Sequence, residues 1–279
     1  MSASRDLLPH EIRARLSTGI FARRIYYVPE IDSTNRFAAD LARNGEAEGT
    51  IVIADFQTAG RGRFERTWTS PHGRNLSFSL ILRPEMSAGA ALPITLACAL
   101  SICETLEREL GGSADVGTGS QTVVRSRIWA GVHWPNDVMI DDRKICGILS
   151  EGSTRGDRLE YVVIGVGVNV NMEADEFPPP SELRRPATSC RMVTDSVHDR
   201  PRLLAGILAG LEDVYRELTR TTFSAFVDRF DERLIDRGRT IERIDSGKRF
   251  VGRVMGVAAD GGLRLEVADG GTITIYDHE

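Results

Sequence analysis

The pattern of apolar and polar positions in the first third of the chain predicts strands and helices in turn. Residues 24–31 and 50–56 are short runs rich in β-branched and aromatic residues, which predict strands. Residues 32–45, between them, begin with Ser, Thr and Asn and end with Gly, as expected for a capped helix. Residues 76–84 predict another strand, and residues 89–110 have apolar side chains at helical spacing, which indicates a long core helix.

The middle of the chain continues this mixture. Residues 111–126 are rich in Gly and Ser and predict a surface loop, and residues 176–186 predict a Pro-rich connection. Strands are expected near 128–134, 137–141, 144–151 and 158–170, and helices near 200–219 and 223–234. Because tight turns join more of the strands than helices do, we predict an α+β fold in which a mixed, largely antiparallel sheet is flanked by helices.

The pattern changes again near residue 236. From there to residue 279, short apolar strands alternate with Gly and Asp, which is typical of a small β-barrel. We therefore predict two domains, with residues 1–235 as the larger α+β body and residues 236–279 as a small C-terminal β-barrel.

Charge and composition argue against several classes of protein. The 279 residues include 40 acidic and 35 basic side chains, and the net charge of −5 does not suit a protein that neutralises a nucleic acid. No apolar run is expected to approach the roughly 20 residues of a membrane span, and the N-terminus has no signal-peptide pattern. The four cysteines lack metal-ligand spacing and are expected to be buried thiols. We therefore expect a cytoplasmic protein that binds neither a membrane nor a nucleic acid.

One short segment is nevertheless strongly basic. The stretch TAGRGRFERTWTS contains Arg61, Arg63 and Arg66 beside Trp68. A dinucleotide fingerprint would need a third glycine where Glu65 stands and a helix after it, and the sequence has no Walker P-loop. A nucleic-acid patch and a solvated loop without function remain alternatives. Arginines that alternate with glycines favour a loop that folds over a compact anion, with the indole available for stacking on a flat ring.

A second group of polar residues surrounds one lysine. Of the 35 basic residues 33 are arginine, so Lys144 at the mouth of an apolar hairpin is conspicuous. An ammonium at this place is suited to bind a carboxylate or a phosphate, and Gly147 would allow a ligand to approach closely. Asn136 and Asp137 of WPND, and Asn169 at the end of a strand, are equally compatible with turn and strand caps.

Six motifs taken together resemble one known family. In chain order they are DSTN, FQTAGRGR, GRGRFERTW, WPND, RKICGILSE and GVGVN, and with the C-terminal segment the resemblance covers about residues 25–277. The set is similar to that of the biotin–protein ligase (holocarboxylase synthetase) family. The resemblance implies a class II synthetase-like biotin/lipoate ligase catalytic domain followed by a small SH3-like β-barrel.

The resemblance also implies an activity with two steps. Such enzymes join the carboxylate of biotin to the α-phosphate of ATP, which gives biotinyl-5′-AMP and pyrophosphate, and then pass biotin to one lysine of a biotin carboxyl carrier protein. Fixed cations suit both steps because negative charge spreads over the phosphoryl oxygens. Mg²⁺ would accompany ATP, and Asp137 is a candidate ligand for it.

The site residues that the resemblance implies fall into three groups. The catalytic group would be Lys144, Arg61 and Arg63. Biotin would be bound by Ser33, Thr34, Asn35, Gln57, Gly60, Arg61, Gly62, Arg63, Lys144 and Gly147. ATP would be bound by Arg63, Arg66, Trp68, Asn136, Lys144 and Asn169.

The sequence also departs from the family pattern. Glu65 stands where the family loop has a glycine, and we expect it either to alter loop closure or to pair with an arginine. His133 replaces the usual lysine before WPND, which removes one positive charge near the nucleotide. The roughly 24 residues before the first strand predict a monofunctional enzyme without a DNA-binding domain, and a homodimer is left open. A lipoate–protein ligase and a catalytically impaired biotin- or nucleotide-binding module remain alternative functions.

Overall fold

The structure is a computed structural model that describes residues 7–111, 128–245 and 247–276. Within these ranges the side chain of Glu65 is not described. The loop predicted over residues 111–126 lies outside the described residues, apart from Gly111 at its start.

Helices form where the sequence has apolar stripes. The described α-helices are α1 (Pro9–Arg13), α2 (Thr34–Arg43), α3 (Ala91–Leu110), α4 (Cys190–Thr194), α5 (Arg200–Arg220) and α6 (Val227–Arg233). The helices predicted over 32–45, 89–110 and 200–219 are confirmed. The last predicted helix, 223–234, is divided into a 3-10 turn (Phe223–Phe226) and α6. Helices α1 and α4 were not predicted, because a helix of five residues is too short to show an apolar period.

In the part of the chain that the structure describes, seven strands form the main sheet. They are β1 (Ile25–Ile31), β2 (Ile51–Gln57), β3 (Leu76–Leu82), β4 (Ala130–His133), β5 (Asp137–Ile140), β6 (Arg143–Arg155) and β7 (Arg158–Val168). Their order across the sheet is β1-β2-β3-β7-β6-β5-β4. Strands β1 and β2 are parallel, and the other neighbouring strands pair antiparallel. The prediction of a mixed, largely antiparallel sheet flanked by helices is therefore confirmed.

The C-terminal strands form a separate antiparallel sheet. They are β8 (Thr240–Asp245), β9 (Lys248–Val257), β10 (Leu263–Glu266) and β11 (Thr272–Ile275), in the order β11-β10-β9-β8. The indole nitrogen of Trp134 donates to Gly261 O at 3.0 Å, and the backbone N of Val257 donates to Asp231 Oδ1 at 2.8 Å, which attaches this sheet to the body. A small C-terminal β unit is thus confirmed, while its closure into a barrel and the boundary at residue 236 stay predictions.

The two faces of the main sheet have different partners. Helices α3 and α5 cover one face and enclose the larger hydrophobic core, whereas α2 covers part of the other face. Strand β3 shows the division, because alternate residues of a strand point to opposite faces. Leu76, Phe78 and Leu80 belong to the larger core. Ser77 and Ser79 therefore point to the α2 face, which carries the polar residues of the candidate site.

Helix α3 corrects one expectation from composition. With the turn before it, α3 forms a helix over Ala88–Leu110 that is long and apolar enough to cross a membrane, by length and composition alone. Of its most apolar window, 78% is buried inside the protein, as in a core helix. The expectation that no apolar run approaches the length of a membrane span is therefore wrong, whereas the prediction of a core helix over 89–110 is confirmed.

Candidate active site

A row of paired residues crosses five strands of the main sheet. Ser77 on β3, Gly167 on β7, Gly147 on β6, Asp137 on β5 and His133 on β4 lie opposite one another, each paired with the next. Directly opposed residues of antiparallel strands point to the same face of a sheet. Gly167 and Gly147 have no side chains on the α2 face, so the backbone of β7 and β6 is uncovered there and forms the floor of a cavity.

The cavity over this row has a volume of about 1020 Å³, at the upper end of the usual range for a small-molecule site. It is lined by the predicted site residues, with the exception of Gly60. The lining includes Ser33, Thr34, Asn35, Gln57, Arg61, Gly62, Arg63, Arg66, Trp68, Asn136, Asp137, Lys144, Gly147 and Asn169. These residues belong to separate motifs of the sequence, and the fold brings them together around one space.

The N-terminus of α2 forms one end of the cavity. Ser33, Thr34 and Asn35 are buried, with 1%, 4% and 4% of their surface exposed. The backbone N of Thr34 donates to Gln57 Oε1 at 2.8 Å, and its hydroxyl donates to the same oxygen at 3.1 Å. Ser79 Oγ donates to Asn35 Oδ1 at 2.6 Å. These bonds fix a wall of neutral donors and acceptors, which suits a polar but uncharged part of a ligand.

Glu151 joins this wall to the arginine-rich loop. Its Oε2 accepts a hydrogen bond from Asn35 Nδ2 at 2.9 Å, and its Oε1 lies 3.1 Å from Arg61 Nη1. The sequence analysis singled out neither Glu151 nor Ser79. The signals that were available are the glutamate at the end of RKICGILSE and a serine among the apolar residues of β3.

The arginine-rich loop is a narrow hairpin at the rim of the cavity. The backbone N of Trp68 donates to Gly60 O at 2.9 Å, and that of Gly62 donates to Arg66 O at 2.7 Å. A Cβ at residue 60 would lie 2.4 Å from Trp68 O, so the two arms approach this closely because Gly60 has no side chain. Gly60 is not among the residues that line the cavity but shapes the hairpin, and its contact with biotin stays a prediction.

The tip of this hairpin is a 3-10 turn (Arg63–Glu65) in which Phe64 has a φ of 57°. The ring of Phe64 is 41% exposed, and the guanidinium carbons of Arg63 and Arg66 lie 4.9 Å and 5.3 Å from its centroid. Cation–π contact with one ring keeps both guanidinium groups at the tip of the hairpin, on the side that lines the cavity. The ion pair expected for Glu65 concerns a side chain outside the described part of the structure.

The indole of Trp68 lies on the glycine floor. A Cβ at residue 167 would be 2.3 Å from Trp68 Cε2, so the ring occupies this place because Gly167 is glycine. A Cβ at Gly147 would be 3.2 Å from Lys144 Nζ and 3.4 Å from the indole. The indole Nε1 is buried and has no hydrogen-bond partner among the described residues, so a ligand acceptor in the cavity would find a donor there.

Lys144 lies beside this ring with a carboxylate as its counter-ion. Its Nζ is 2.7 Å from Asp137 Oδ1 and 5.8 Å from the centroid of the Trp68 ring. The backbone of Lys144 pairs with a neighbouring segment, since its N donates to Pro186 O at 2.8 Å and its O accepts from Thr188 N at 2.9 Å. The ammonium is thus held at the middle of the cavity, where it can bind an anion.

The two asparagines predicted to bind ATP already have partners in the protein. Asn136 Nδ2 donates to Ile148 O at 2.8 Å, and Asn169 Nδ2 donates to Thr188 O at 3.0 Å. Asn75, which the sequence analysis did not single out, has its Nδ2 3.5 Å from Asn169 Oδ1. Both predicted amides therefore stabilise the cavity wall, and their contact with a nucleotide stays a prediction.

The end of the cavity farthest from α2 is lined by cations that the sequence analysis did not single out. Arg184 and Arg185, from the predicted connection 176–186, and Arg243 of β8 line it together with His133. Burial, followed by the charges of Arg185 and Arg243, lowers the pKa of His133 to about 3. Residue 133 is therefore neutral at neutral pH, as expected when histidine replaces lysine. No motif marks these arginines, because arginine is common throughout this chain.

Metal-binding side chains are sparse in the part of the chain that the structure describes. No group of three or more His, Cys, Asp and Glu residues there is placed to hold a metal ion. Asp137, the candidate Mg²⁺ ligand, is paired with Lys144. The prediction of buried thiols is confirmed for Cys98, Cys103, Cys146 and Cys190.

Comparisons with known proteins agree on one family. The sequence matches the sequence model of the biotin/lipoate A/B protein ligase family over residues 27–169. It is 33% identical over 260 residues to the bifunctional ligase/repressor BirA of Bacillus spizizenii, which covers 93% of this chain and 74% of that protein. It is 36% identical over 139 residues to the biotin–[acetyl-CoA-carboxylase] ligase of Paracoccus denitrificans, which covers 50% of this chain and 51% of that protein.

The fold leads to the same family. The solved structure of the biotin protein ligase from Aquifex aeolicus in complex with biotin and ATP matches with a TM-score of 0.74 at 25% identity, covering 92% of this chain and 97% of that chain. The matched residues 27–169 contain all six motifs that meet around the cavity. The chain therefore belongs to the biotin/lipoate A/B protein ligase family and is similar, within it, to the biotin–protein ligases.

Proposed function

We propose that this protein is a biotin–protein ligase. It joins biotin to ATP, which gives biotinyl-5′-AMP and pyrophosphate, and then transfers biotin to a lysine of a biotin carboxyl carrier protein. The observation that carries the proposal is the cavity itself, where residues of six motifs meet around Lys144 and Trp68. The names of relatives as biotin ligases support it, as does the Aquifex aeolicus protein that was solved in complex with biotin and ATP.

In the first step one anion attacks another. A biotin carboxylate oxygen forms a bond to the α-phosphorus of ATP, while the bond from that phosphorus to the β-phosphate breaks and pyrophosphate takes the electron pair. The ammonium of Lys144 lies between the neutral wall at α2 and the arginines at the far end. Its positive charge there reduces the repulsion between the biotin carboxylate and the α-phosphate. Arg61 and Arg63 add positive charge from the hairpin. Charges that are fixed before the reaction stabilise such a transition state without reorganisation.

In the second step the amine of the carrier lysine attacks the carbonyl carbon of biotinyl-5′-AMP. The new C–N bond forms, the amine loses a proton, and AMP leaves with the electron pair of the broken C–O bond. Lys144 stabilises the leaving phosphate from the same position that it has in the first step. The carrier is inferred from relatives that are named as ligases of acetyl-CoA carboxylase.

Mg²⁺ is proposed to arrive with the phosphates of ATP. The described residues do not form a dedicated metal site. Mg²⁺ commonly keeps several waters and is bound through one or two carboxylates together with substrate phosphates. Asp137 is the carboxylate that such an ion would contact, and Lys144 shares it. Neither step described above depends on this contact.

Further proposals concern the setting of the enzyme. The net charge of −5 supports a monofunctional ligase that binds no nucleic acid, and steeply salt-dependent DNA binding would contradict this. We also propose a cytoplasmic location and closure of the C-terminal sheet into an SH3-like barrel. A homodimer is the last of these proposals, and sedimentation of the purified protein would test it.

The proposed function is tested by incubating the protein with ATP, a biotin carboxyl carrier domain and either biotin or lipoate. We expect pyrophosphate release that depends on biotin, and a carrier that gains the mass of biotin. Labelling with lipoate alone would identify a lipoate–protein ligase instead. Binding of biotin without any pyrophosphate release would identify a catalytically impaired module.

A further inference from the structure

The far end of the cavity holds two arginines that have no ion-pair partner among the residues that the structure describes. Arg184 and Arg185 line the cavity, and among the described residues neither forms an ion pair with a carboxylate. The carboxylates nearby have other cations as partners: Asp137 pairs with Lys144, and Asp236 Oδ2 lies 3.8 Å from Arg243 Nη2.

Two further acidic residues, Glu182 and Glu242, line the cavity, and both are exposed. Glu242 pairs with Arg249. Cations that face a cavity without a counter-ion are suited to an anionic ligand.

The backbone explains why these arginines lie next to Lys144. Lys144 forms a parallel bridge with Ala187, and its N and O bond to Pro186 and Thr188. Arg184 and Arg185 directly precede these residues, so the same pairing that holds Lys144 brings them to the cavity. The site therefore has a series of cations that begins at Lys144 and includes Arg184 and Arg185, and Arg185 contacts the neutral His133 of the edge strand β4.

His133 holds one of these arginines in place. Its Nε2 contacts Nη2 of Arg185, and its Nδ1 lies 3.3 Å from Asp236 Oδ2. The imidazole is 6% exposed and its pKa is lowered to about 3, so the ring is neutral and Nε2 is available as an acceptor. A neutral His133 supplies no positive charge where the family has a lysine. It instead orients the guanidinium of Arg185, which is positively charged. Arg185 also has a donor fork that a lysine lacks.

We propose that Arg185, oriented by His133 and assisted by Arg184, binds the β- and γ-phosphates of ATP and the pyrophosphate that leaves. The proposal rests on the proposed function and deepens it. With the α-phosphate at Lys144, the next two phosphates extend along the series of cations, away from the neutral wall at α2. When the bond between the α-phosphorus and the β-phosphate oxygen breaks, the electron pair goes to pyrophosphate, where a fixed guanidinium stabilises the added charge.

Under this proposal, loss of Arg185 affects one of the two reactions of the enzyme and leaves the other unchanged. Synthesis of biotinyl-5′-AMP uses the triphosphate, whereas transfer of biotin from preformed biotinyl-5′-AMP to the carrier does not. Arg185→Ala is therefore expected to raise the KM for ATP and the inhibition constant of pyrophosphate by about 10- to 100-fold, as for loss of a charge-assisted hydrogen bond. The KM for biotin and the rate of transfer from preformed biotinyl-5′-AMP are expected to stay within about twofold of the wild type.

Two further variants make the test specific. Arg155→Ala is the matched control, because Arg155 is exposed at the other end of β6, where it pairs with Glu160. It should leave all four measurements unchanged. His133→Gln keeps a neutral acceptor beside Arg185 and should raise the KM for ATP less than His133→Ala does. This order separates orientation of Arg185 from a general effect on folding.

Two outcomes would overturn the inference. One is an Arg185→Ala variant whose KM for ATP and pyrophosphate inhibition match those of Arg155→Ala. The other is an equal loss in ATP-dependent synthesis and in transfer from preformed biotinyl-5′-AMP. A wild-type protein that catalyses neither reaction would instead contradict the proposed function, so the two failures are distinguishable.

Discussion

The ammonium of Lys144 lies 2.7 Å from Oδ1 of Asp137, with Gly147 beside it and the ring of Trp68 on the same floor. The space around Nζ is narrow, since a single Cβ at Gly147 would come within 3.2 Å of it. This geometry fits a compact point charge. A guanidinium is larger and planar and presents its donors in a fixed fork, so the two cations are not equivalent at this place.

We therefore expect Lys144→Arg to lower kcat/KM for biotin-dependent pyrophosphate release by at least about 100-fold, as for loss of one electrostatic donor to a transition state. Lys248→Arg is the matched control, because Lys248 is the other lysine of the chain and is exposed on β9. It should retain wild-type kinetics. Wild-type kinetics in Lys144→Arg as well would refute the role assigned to this ammonium.

The two glycines of GVGVN predict separate effects on the two substrates. A Cβ at Gly165 would lie 2.1 Å from Asn35 Oδ1, whereas one at Gly167 would lie 2.3 Å from Trp68 Cε2. Gly165→Ala is expected to raise the KM for biotin about tenfold by displacing the amide at the α2 wall. Gly167→Ala is expected to raise the KM for ATP about tenfold by lifting the indole off the floor.

Steady-state kinetics with each substrate varied in turn would measure both effects, and the fluorescence of Trp68 would shift in the Gly167 variant. Gly89→Ala serves as the control, because a Cβ there meets no heavy atom within 4 Å. Equal effects of the two site variants on both substrates would contradict the division of the cavity into two ends.

Local patterns in the sequence account for most of the fold. Strands were predicted at the places of β1 to β7, and the short connections that join β4, β5, β6 and β7 in sequence predict antiparallel pairing, as observed. Lys144 was identified because lysine is rare in this chain. The predictions missed α1 and α4, because helices of five residues are too short to show an apolar period. They also missed that the core helix α3 has the length and composition of a membrane span.

The parts of the site that the sequence did not reveal depend on long-range pairing. Arg185 reaches Lys144 through a bridge between segments about forty residues apart, which no local pattern encodes. Ser79 points to the α2 wall because of the phase of β3, and Glu151 meets Asn35 because β6 runs under α2. These contacts follow from strand register, which the sequence alone leaves undetermined.

The ion pair between Glu151 and Arg61 leads to a third prediction, about the hairpin. Both side chains are about one-third exposed, at 34% and 39%, so the pair contributes at most about 1 kcal/mol. Glu151→Gln is expected to speed tryptic cleavage within residues 60–68 by up to about fivefold in the absence of ligand. Glu160→Gln, which removes the partner of Arg155, is the control and should leave this cleavage unchanged.

Biotin and ATP together should slow cleavage of the hairpin in the wild type and in both variants, because the proposed ligands lie under it. Mass spectrometry of the fragments would identify the cleavage sites. A hairpin that is cut at the same rate with and without Glu151 would show that the ion pair does not restrain it.

The last prediction concerns stability and rests on Glu212 of α5. Its carboxylate accepts hydrogen bonds from the backbone N of Gly19, Ile20 and Phe21 at 2.8, 2.8 and 2.7 Å. Burial alone would raise the pKa of Glu212, but these donors and Arg216 outweigh it, and the pKa is lowered from 4.5. A carboxyl whose pKa is lowered in the folded state stabilises the fold above its ordinary pKa, and this contribution is lost as the pH falls through the folded value.

Glu212→Gln is therefore expected to lower the free energy of unfolding by about 1–3 kcal/mol at pH 7, since an amide cannot serve three donors as a carboxylate does. The difference from the wild type should begin to shrink below about pH 4.5, where the carboxyl of the unfolded chain becomes protonated, and should continue to shrink as the pH approaches the lower pKa of the folded state. Urea unfolding at pH 7 and pH 3.5 would measure it. Glu217→Gln on the same helix, at an exposed ion pair with Arg229, should change stability by less than about 0.5 kcal/mol. A loss in Glu212→Gln that is equal at both pH values would show that packing, rather than the charge on Glu212, holds the N-terminal segment to α5.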